Sequence, residues 1–449
     1  MTTSSTPGSG ATNGGRAASG EAEVVDLCRD LLRIESVNRG PGDGDERAAA
    51  EYVAAKLEEV GLETTIVESE KNRTSVLARM EGEDRSRGAL LIHGHLDVVP
   101  ADAADWTLPP FAGEIGDDGC VWGRGAVDMK DMDAMTLAVV RERMRSGRKP
   151  PRDVVLAFVA DEEAGGRLGA RYLVENHADY FEGCTEAISE VGGFSWEVSN
   201  DLRLYLIETA QKGIGWMKLT VAGRSGHGSM LADDNAVTEL AEAVGRLGRY
   251  TFPVQLRPSV RQFLEELSEA TGWEFDPEDP RATIDKLGAL ARLVGATISH
   301  TANPTQLQAG TKVNVIPNSA TAYVDGRFLP GGEDDFERRL DEILGERVQR
   351  EWLWHDQALE TEFDGALVDC MAASLKAEDP GARAVPYMLS GGTDAKSFSR
   401  LGIRCFGFAP LKLPAELDFA AMFHGVDERV PTEALRFGAR VLDRFLDGC

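Results

Sequence analysis

Short, wholly apolar runs that end in charged or imidazole-bearing turns constrain this chain most. Val154-Val155-Leu156-Ala157-Phe158-Val159 leads into Asp161-Glu162-Glu163, and Leu90-Leu91-Ile92 leads into His93-Gly94-His95-Leu96-Asp97. Runs of strand length with no polar face read as strands buried on both sides. Further runs of this kind lie at 64–67, 75–79 and 89–93. Helical patterns lie around them. Val24, Val25, Leu27, Cys28, Leu31 and Leu32 recur at helical spacing, and 46–57, 133–144 and 168–176 repeat the theme. Gly40-Pro41-Gly42 breaks the first pair apart. Strands alternating with helices predict an α/β fold, a mostly parallel sheet with helices on both faces.

The pattern changes near Lys212. Residues 215–221 alternate as a strand does, 235–248 form an amphipathic helix, 312–315 and 320–328 read as strands, and 336–354 as a helix. This is an α+β pattern. Residues 251–309 are more polar, with helical stretches at 259–271 and 282–294, and read as an extra insertion. After about residue 360 the α/β character returns, with helices at 365–377 and 432–446 and a strand at 404–408. The expected division is therefore one domain from 21–211 and 359–449, interrupted by a second at 212–358. Residues 1–20, rich in Ser, Thr, Gly and Ala, lack the apolar core of a signal peptide and read as an unstructured tail.

A length of 449 residues suits two domains. The net charge of −27 argues against nucleic acid and against anionic membrane surfaces, both of which need a cationic face. No apolar run approaches the roughly 18 residues of a membrane span. Six cysteines are scattered without a CxxC pair, which predicts reduced thiols and a cytoplasmic location.

Five side chains of metal-ligating type stand in these contexts: His95, Asp128, Glu163, Glu190 and His424. Two imidazoles and three carboxylates suffice for two divalent cations when one carboxylate bridges, and such a pair activates water and polarises a carbonyl. His95 and Asp97, two apart on an extended chain, project to one face, so the Asp97 carboxylate is placed to orient the imidazole. In an α/β sheet, ligands gather at the carboxyl ends of strands. Asp128 lies in a glycine-rich loop that permits close backbone approach, while Asp131 and Asp133 are better placed to cap the following helix. Asp161, Glu162 and Glu163 repel one another unless a cation is near, and Glu162 and Glu163 can divide proton transfer and ligation between them. Each piece alone admits a plainer reading: a turn or capping aspartate at 97 and 128, a solvated acidic loop at 161–163, a surface Glu190, structural loop histidines at His227 and His424. His93 reads as structural or as support for the site, and His177, His300 and His355 have no supporting context.

Taken together, the pieces resemble the M20 metallopeptidase family, which groups aminoacylases, glutamate carboxypeptidases, succinyl-diaminopimelate desuccinylases, acetylornithine deacetylases and related dipeptidases. The matching runs are 93–100, 123–130, 161–165, 189–193, 226–230, 314–317, 391–395 and 424–428, in the family's order. The resemblance implies that Asp128 bridges two metals, that His95 and Glu190 complete one, and that Glu163 and His424 complete the other. It implies Glu162 as general base and acid, with Asp97 supporting His95. It implies an α/β catalytic domain with an inserted lid that dimerises, and a His227 that reaches the partner subunit's site to steady the oxyanion. Asn314 and Arg327 match substrate-binding positions, and Gly391, Gly392 and Thr393 would line the pocket. Three departures stand out. The usual Glu-Gly-Gly reads Glu190-Val191-Gly192-Gly193, the usual Glu-Lys-Gly reads Gln211-Lys212-Gly213, and the lid carries the extra segment.

The expected protein is thus a homodimeric hydrolase holding two divalent ions. Nitrogen and oxygen ligands without thiolate suit zinc, with cobalt or manganese as alternatives. Its expected substrate is a small peptide, cut as a dipeptidase or carboxypeptidase would, or an N-acyl amino acid, cut by deacylation. A phosphoesterase would need a cationic pocket, for which only Arg124, Lys130, Lys212 and Arg327 lie near the motifs. A non-catalytic homologue would be expected to lack Glu162 or a ligand, and all are present.

Overall fold

A computed structural model describes residues 20–199 and 201–449. Residues 1–19 of the expected tail lie outside the described residues. The apolar runs are strands of a ten-stranded sheet. From one edge the order is Thr64–Glu70, Arg73–Met80, Val154–Val159, Ala89–His95, Cys184–Ser189, Arg404–Gly407, Leu202–Gln211 and Leu359–Glu360. Phe194–Ser199 and Ala382–Leu389 also pair with Leu202–Gln211. The centre is parallel, from Val154–Val159 through Arg404–Gly407, and antiparallel strands flank it.

Alternation explains why the central runs carry no polar face. Leu90, Ile92, Val154, Leu156 and Phe158 point into one core, shared with helices Val24–Arg33, Arg47–Glu58, Lys130–Ser146 and Thr432–Gly448. Leu91, Val155, Ala157 and Val159 point into the other, under Ala170–Asn176 and Ala395–Phe398. Both faces are covered, so every position of the strand is apolar. Truncating one such leucine to alanine costs about 2–5 kcal/mol. Helix Lys130–Ser146 ends on Gly147, whose φ of 67° suits glycine. At its other end the buried Lys130 ammonium donates to the carbonyls of Leu31 and Ile34, satisfying the last turn of the first helix.

The chain leaves this sheet after Gln211 and re-enters it at Leu359. Between them lies an antiparallel four-stranded sheet, ordered Thr301–Ala309, Ser319–Phe328, Gly213–Ala222 and Gln349–Asp356. Helices Ala236–Arg249 and Glu333–Leu344 cover one face, burying Leu240, Ala243, Phe336 and Leu340 against Met217, Leu219 and Val324.

Several sequence expectations change. The helix expected over 336–354 stops at Leu344, where Gly345 adopts a φ of 79°, and Gln349–Asp356 is a strand. Its aromatic alternation, Trp352 and Trp354, fits a half-buried strand. The strand expected at 312–315 is confined to Val315–Ile316. The extra segment 251–309 divides: Thr301–Ala309 is an edge strand of the second sheet, too polar and exposed to show an apolar alternation. The preceding helices Pro258–Thr271 and Ala291–Gly295 bury Phe263, Leu264, Leu267 and Val294 in the core of the large sheet instead. Asp131 and Asp133 do not cap their helix. It begins at Lys130, and both lie buried inside its first turn.

Candidate functional site

Strand ends and loops bring the five ligand-type side chains to one place. His95 closes a central strand, Glu190 follows Cys184–Ser189, and Glu162 and Glu163 open a short 3-10 turn after Val154–Val159. Asp128 comes from the glycine-rich loop and His424 from the loop before Arg429–Pro431. The Asp128 carboxylate faces both ways. Its Oδ1 lies 3.0 Å from His95 Nε2, which is also 3.5 Å from Glu190 Oε2. Its Oδ2 lies 3.3 Å from His424 Nε2, which is 3.0 Å from Glu163 Oε2. Within each triad, His95–Asp128–Glu190 and Asp128–Glu163–His424, the ligand atoms lie within 4.8 Å of one another. Glu162 Oε2 stands 4.0 Å from His95 Nε2, beside the first triad.

Asp97 does more than spacing suggests. The His95 Nδ1–H donates to the main-chain carbonyl of Asp97 at 2.9 Å, while the Asp97 carboxylate is 3.6 Å from that nitrogen. This tautomer leaves Nε2 facing the carboxylates. The Asp97 carboxylate also accepts the backbone N–H groups of Glu162 and Glu163, both at 3.1 Å, and the Asn38 amide at 2.8 Å. It ties the His95 strand end to the acidic turn. Asp161 faces away from the triads: its carboxylate holds Arg73 and accepts Leu168 N–H at 2.8 Å. Arg73 also pairs with the buried Glu46 at 2.8 Å.

Glu428 clasps the other two loops. Its Oε1 accepts the N–H groups of Val127 (2.7 Å) and Asp128 (3.1 Å); its Oε2 accepts those of Gly125 (3.1 Å) and the Arg124 guanidinium (2.7 Å). Arg124 also donates to the Gly425 carbonyl at 2.8 Å. The Asp128 loop and the His424 loop therefore share one buried ion pair. Sequence reasoning placed Glu428 inside a matching run without giving it a role; a carboxylate four residues beyond a ligand-type histidine was the available signal.

Three site loops hold a non-glycine residue in the left-handed region: Asp161 at φ 70°, Val191 at 54° and His424 at 56°. A β-branched residue there is strained by about 1–2 kcal/mol. Val191 stands where the resembled pattern has glycine, which accounts for that preference. The Asp128–Met129 peptide is cis.

The electrostatics are those of carboxylates short of positive charge. Burial raises Glu162 well above the usual carboxylate range, and Glu190 adds to it; burial also lifts Glu190 to about 7. Glu163 rises through burial and the nearby Asp128. Burial opposes the charge on Asp128, but His424 and His95 hold it low. The two imidazoles move the other way. Asp128 and Glu163 raise His424 to about 10; burial would depress His95, yet Glu190, Asp128 and Asp97 hold it well above its ordinary value. Glu163 Oε1 is buried without a hydrogen-bond partner among the described residues. Four crowded carboxylates, two imidazoles and an orphaned oxygen fit a pair of divalent cations.

A cleft of about 260 Å³ opens over these residues. Gly391, Gly392 and Thr393 line it, with apolar walls from Phe194, Leu293, Tyr387, Leu389 and Phe423. Gln211 fixes the Thr393 loop, donating to Thr393 Oγ1 at 2.7 Å and accepting Thr393 N–H at 2.9 Å. His93 is buried, accepts or donates at Nδ1 with Ser189 Oγ at 3.1 Å, and packs on Phe398. Burial pushes it down to about 3, so it is neutral.

Three expected site residues stand outside the cleft of the single chain. His227 is exposed on the two-stranded ladder of Gly226–His227 with Val315–Ile316, where its Nδ1 meets Ser229 Oγ at 2.8 Å. Asn314 is exposed beside it, its carbonyl accepting Gly228 N–H at 2.9 Å. Arg327 engages Asp325 through two N–H groups at 2.7 and 3.1 Å and lies over Trp216.

The profile of peptidase family M20/M25/M40 matches residues 91–448. The chain is 29% identical over 386 residues to a probable carboxypeptidase S-like 2 of Dictyostelium discoideum, covering 79% of this chain and 70% of that protein. It is 26% identical over 436 residues to Aminoacylase-1 of Homo sapiens, covering 95% of each. An M20 family metallo-carboxypeptidase, Sso-CP2 of Sulfolobus solfataricus, superposes with a TM-score of 0.72 at 18% identity, over 95% of this chain and 99% of that one.

Proposed function

The chain belongs to peptidase family M20/M25/M40, and from that premise we propose that it is a metal-dependent amidohydrolase cutting an amide bond beside a free carboxylate. The observation that carries this reading is the single carboxylate of Asp128 shared by two His–carboxylate triads, with Glu162 standing free beside them. His95 and Glu190 would hold one divalent cation, Glu163 and His424 the other, and Asp128 both. Bound there, zinc, cobalt or manganese ions would supply Lewis acidity toward a carbonyl and lower the pKa of water. The protein's own groups do the rest. Glu162 takes the proton of the attacking water on its carboxylate and delivers it to the leaving nitrogen. Asp97 and Glu428 hold the loops that carry Glu162, Glu163 and Asp128.

Cleavage as a dipeptidase or carboxypeptidase is one form of this activity. Removal of an acyl group from an N-acyl amino acid is the second, favoured by the apolar walls of the cleft, which offer little to a polar peptide. A homodimer through the second sheet is part of the reading. His227 and Asn314 sit among exposed Met230, Leu231 and Val313, beside an exposed edge strand at Thr301–Ala309. A second copy docked there buries this apolar surface and offers His227 to the neighbouring cleft, where it would steady an oxyanion. A cytoplasmic location is supported by six unpaired cysteines; no helix among the described residues is long and apolar enough to cross a membrane.

The test is a hydrolysis panel of dipeptides, N-acyl amino acids and phosphate esters. The protein is stripped with a chelator and then reloaded with zinc, cobalt or manganese. Cleavage of an amide only after reloading is the expected result. Cleavage by the stripped protein, or of phosphate esters alone, overturns the reading.

A further inference from the structure

Beside the cleft lies a second chamber of about 340 Å³. The two share Phe194, Leu293 and Ala420 as lining residues, so the chamber adjoins the cleft. A row of rings runs from one to the other: Tyr387 and Phe423 line the cleft, Phe419 lines the chamber, and Phe194 lines both. Phe194 lies 6.3 Å from Tyr387 and 5.1 Å from Phe419, which lies 5.4 Å from Phe423. Leu413 and the segment 285–295 complete the chamber, the latter through Leu287, Leu290 and Leu293. This segment belongs to the helices that leave the second domain's chain and pack on the large sheet.

The charges around the chamber are engaged elsewhere. Asp418 pairs with Arg292 at 3.1 Å, Glu197 with Arg203 at 3.5 Å, and Lys286 lies over the Trp273 ring. Toward the interior, Leu287, Leu290, Leu293, Leu413 and Phe419 are apolar, and the Ser195 hydroxyl already accepts the Leu413 N–H at 2.8 Å. A peptide extended into it would bring N–H and C=O groups with no partners among these side chains, a penalty a saturated chain does not incur.

We propose that the chamber is a specificity site for the apolar acyl chain of an N-acyl amino acid whose amide lies in the cleft, so that the enzyme prefers medium or long acyl groups over acetyl. The proposal rests on the deacylase form of the function above. Each methylene that moves from water into the chamber raises kcat/KM roughly three- to fourfold until the chamber is full.

The experiment measures kcat/KM of the metal-reloaded protein for N-acetyl-, N-hexanoyl- and N-decanoyl-leucine, in wild type, Leu290→Trp and Ala415→Trp. Leu290 is a buried wall, whereas Ala415 is an exposed rim residue whose replacement leaves the core intact. A decanoyl-to-acetyl ratio of about 100 or more in wild type, falling toward one in both variants, is expected. A parallel titration of N-decanoyl-leucine into Glu162→Gln protein by calorimetry should show binding that Ala415→Trp weakens at least tenfold. Equal kcat/KM for all three substrates overturns the chamber's role and leaves deacylation standing. Cleavage of dipeptides with none of the three N-acyl substrates touched overturns both.

Discussion

Glu428→Gln is the sharpest test of how the site is held. The carboxylate is fully buried and accepts four hydrogen bonds, two on each oxygen. An amide keeps one accepting oxygen and turns a donor toward the other pair. In either orientation two hydrogen bonds to the carboxylate are lost, both charge-assisted: those of Arg124 and Gly125, or those of Val127 and Asp128. Bonds to a charged group are worth about 1.5–3 kcal/mol each, so the variant should lose about 3–6 kcal/mol. Urea unfolding of chelator-stripped protein, followed by tryptophan fluorescence, measures this without contribution from metal binding. Because Glu428 anchors the Asp128 backbone, zinc affinity should also fall about 10–100-fold. Glu433→Gln is the control: Glu433 is 77% exposed and pairs with Arg436 at the surface, so it should change stability by less than about 0.5 kcal/mol. A Glu428→Gln protein as stable as that control, with unchanged zinc affinity, would refute the argument that this carboxylate organises both loops.

Glu162→Gln should keep its metal content by elemental analysis and lose about 10²–10⁴-fold in turnover; near-normal turnover removes the proton-transfer role. His227→Ala should lower turnover about 10²–10³-fold without lowering metal content. Mixing it with the inactive Glu162→Gln chain should then restore activity, because the second chain supplies an intact His227 to the first chain's site; no restoration on mixing argues against a role across the interface. His300 is pushed down to about 4, chiefly by burial, and its Nδ1 accepts Leu329 N–H. Its unfolded value is near 6.5, so the unfolded chain binds the extra proton between these limits. Its contribution to stability is complete above pH 6.5 and is lost as pH falls toward 4, by at most about 3 kcal/mol. In His300→Gln, urea midpoints measured over this window should fall less steeply with acid; an unchanged slope rules the residue out as a source of acid sensitivity.

The most legible parts of the fold were those with local causes. The runs at Leu90–Ile92 and Val154–Val159 have the period of strands covered on both faces, and the helix over 24–33 shows its buried stripe in six residues. The ligand-type residues were legible for a related reason: each follows an apolar strand run or stands beside glycines that mark a turn. Edge and half-buried strands were harder. Thr301–Ala309 carries mostly exposed polar residues, and Gln349–Asp356 follows a helix so closely that its alternation merged with the helical pattern. Spacing pairs the Asp97 carboxylate with His95, 3.6 Å away, but gives no sign that it also accepts two backbone N–H groups of a turn some 65 residues away.

By itself, then, the sequence picked out the ligand-type side chains that the fold brings together and the alternation of strands and helices that presents them, because residue type and periodicity are properties of short stretches. Only the tertiary structure decided that Asp128 faces two triads, that Glu428 clasps loops about 300 residues apart in sequence, and that segment 285–295 walls a chamber beside the cleft rather than staying with the sheet it interrupts. Those are contacts between distant segments. Their partners are selected by burial and by the pairing of buried polar groups, and neither leaves a mark at a single position along the chain.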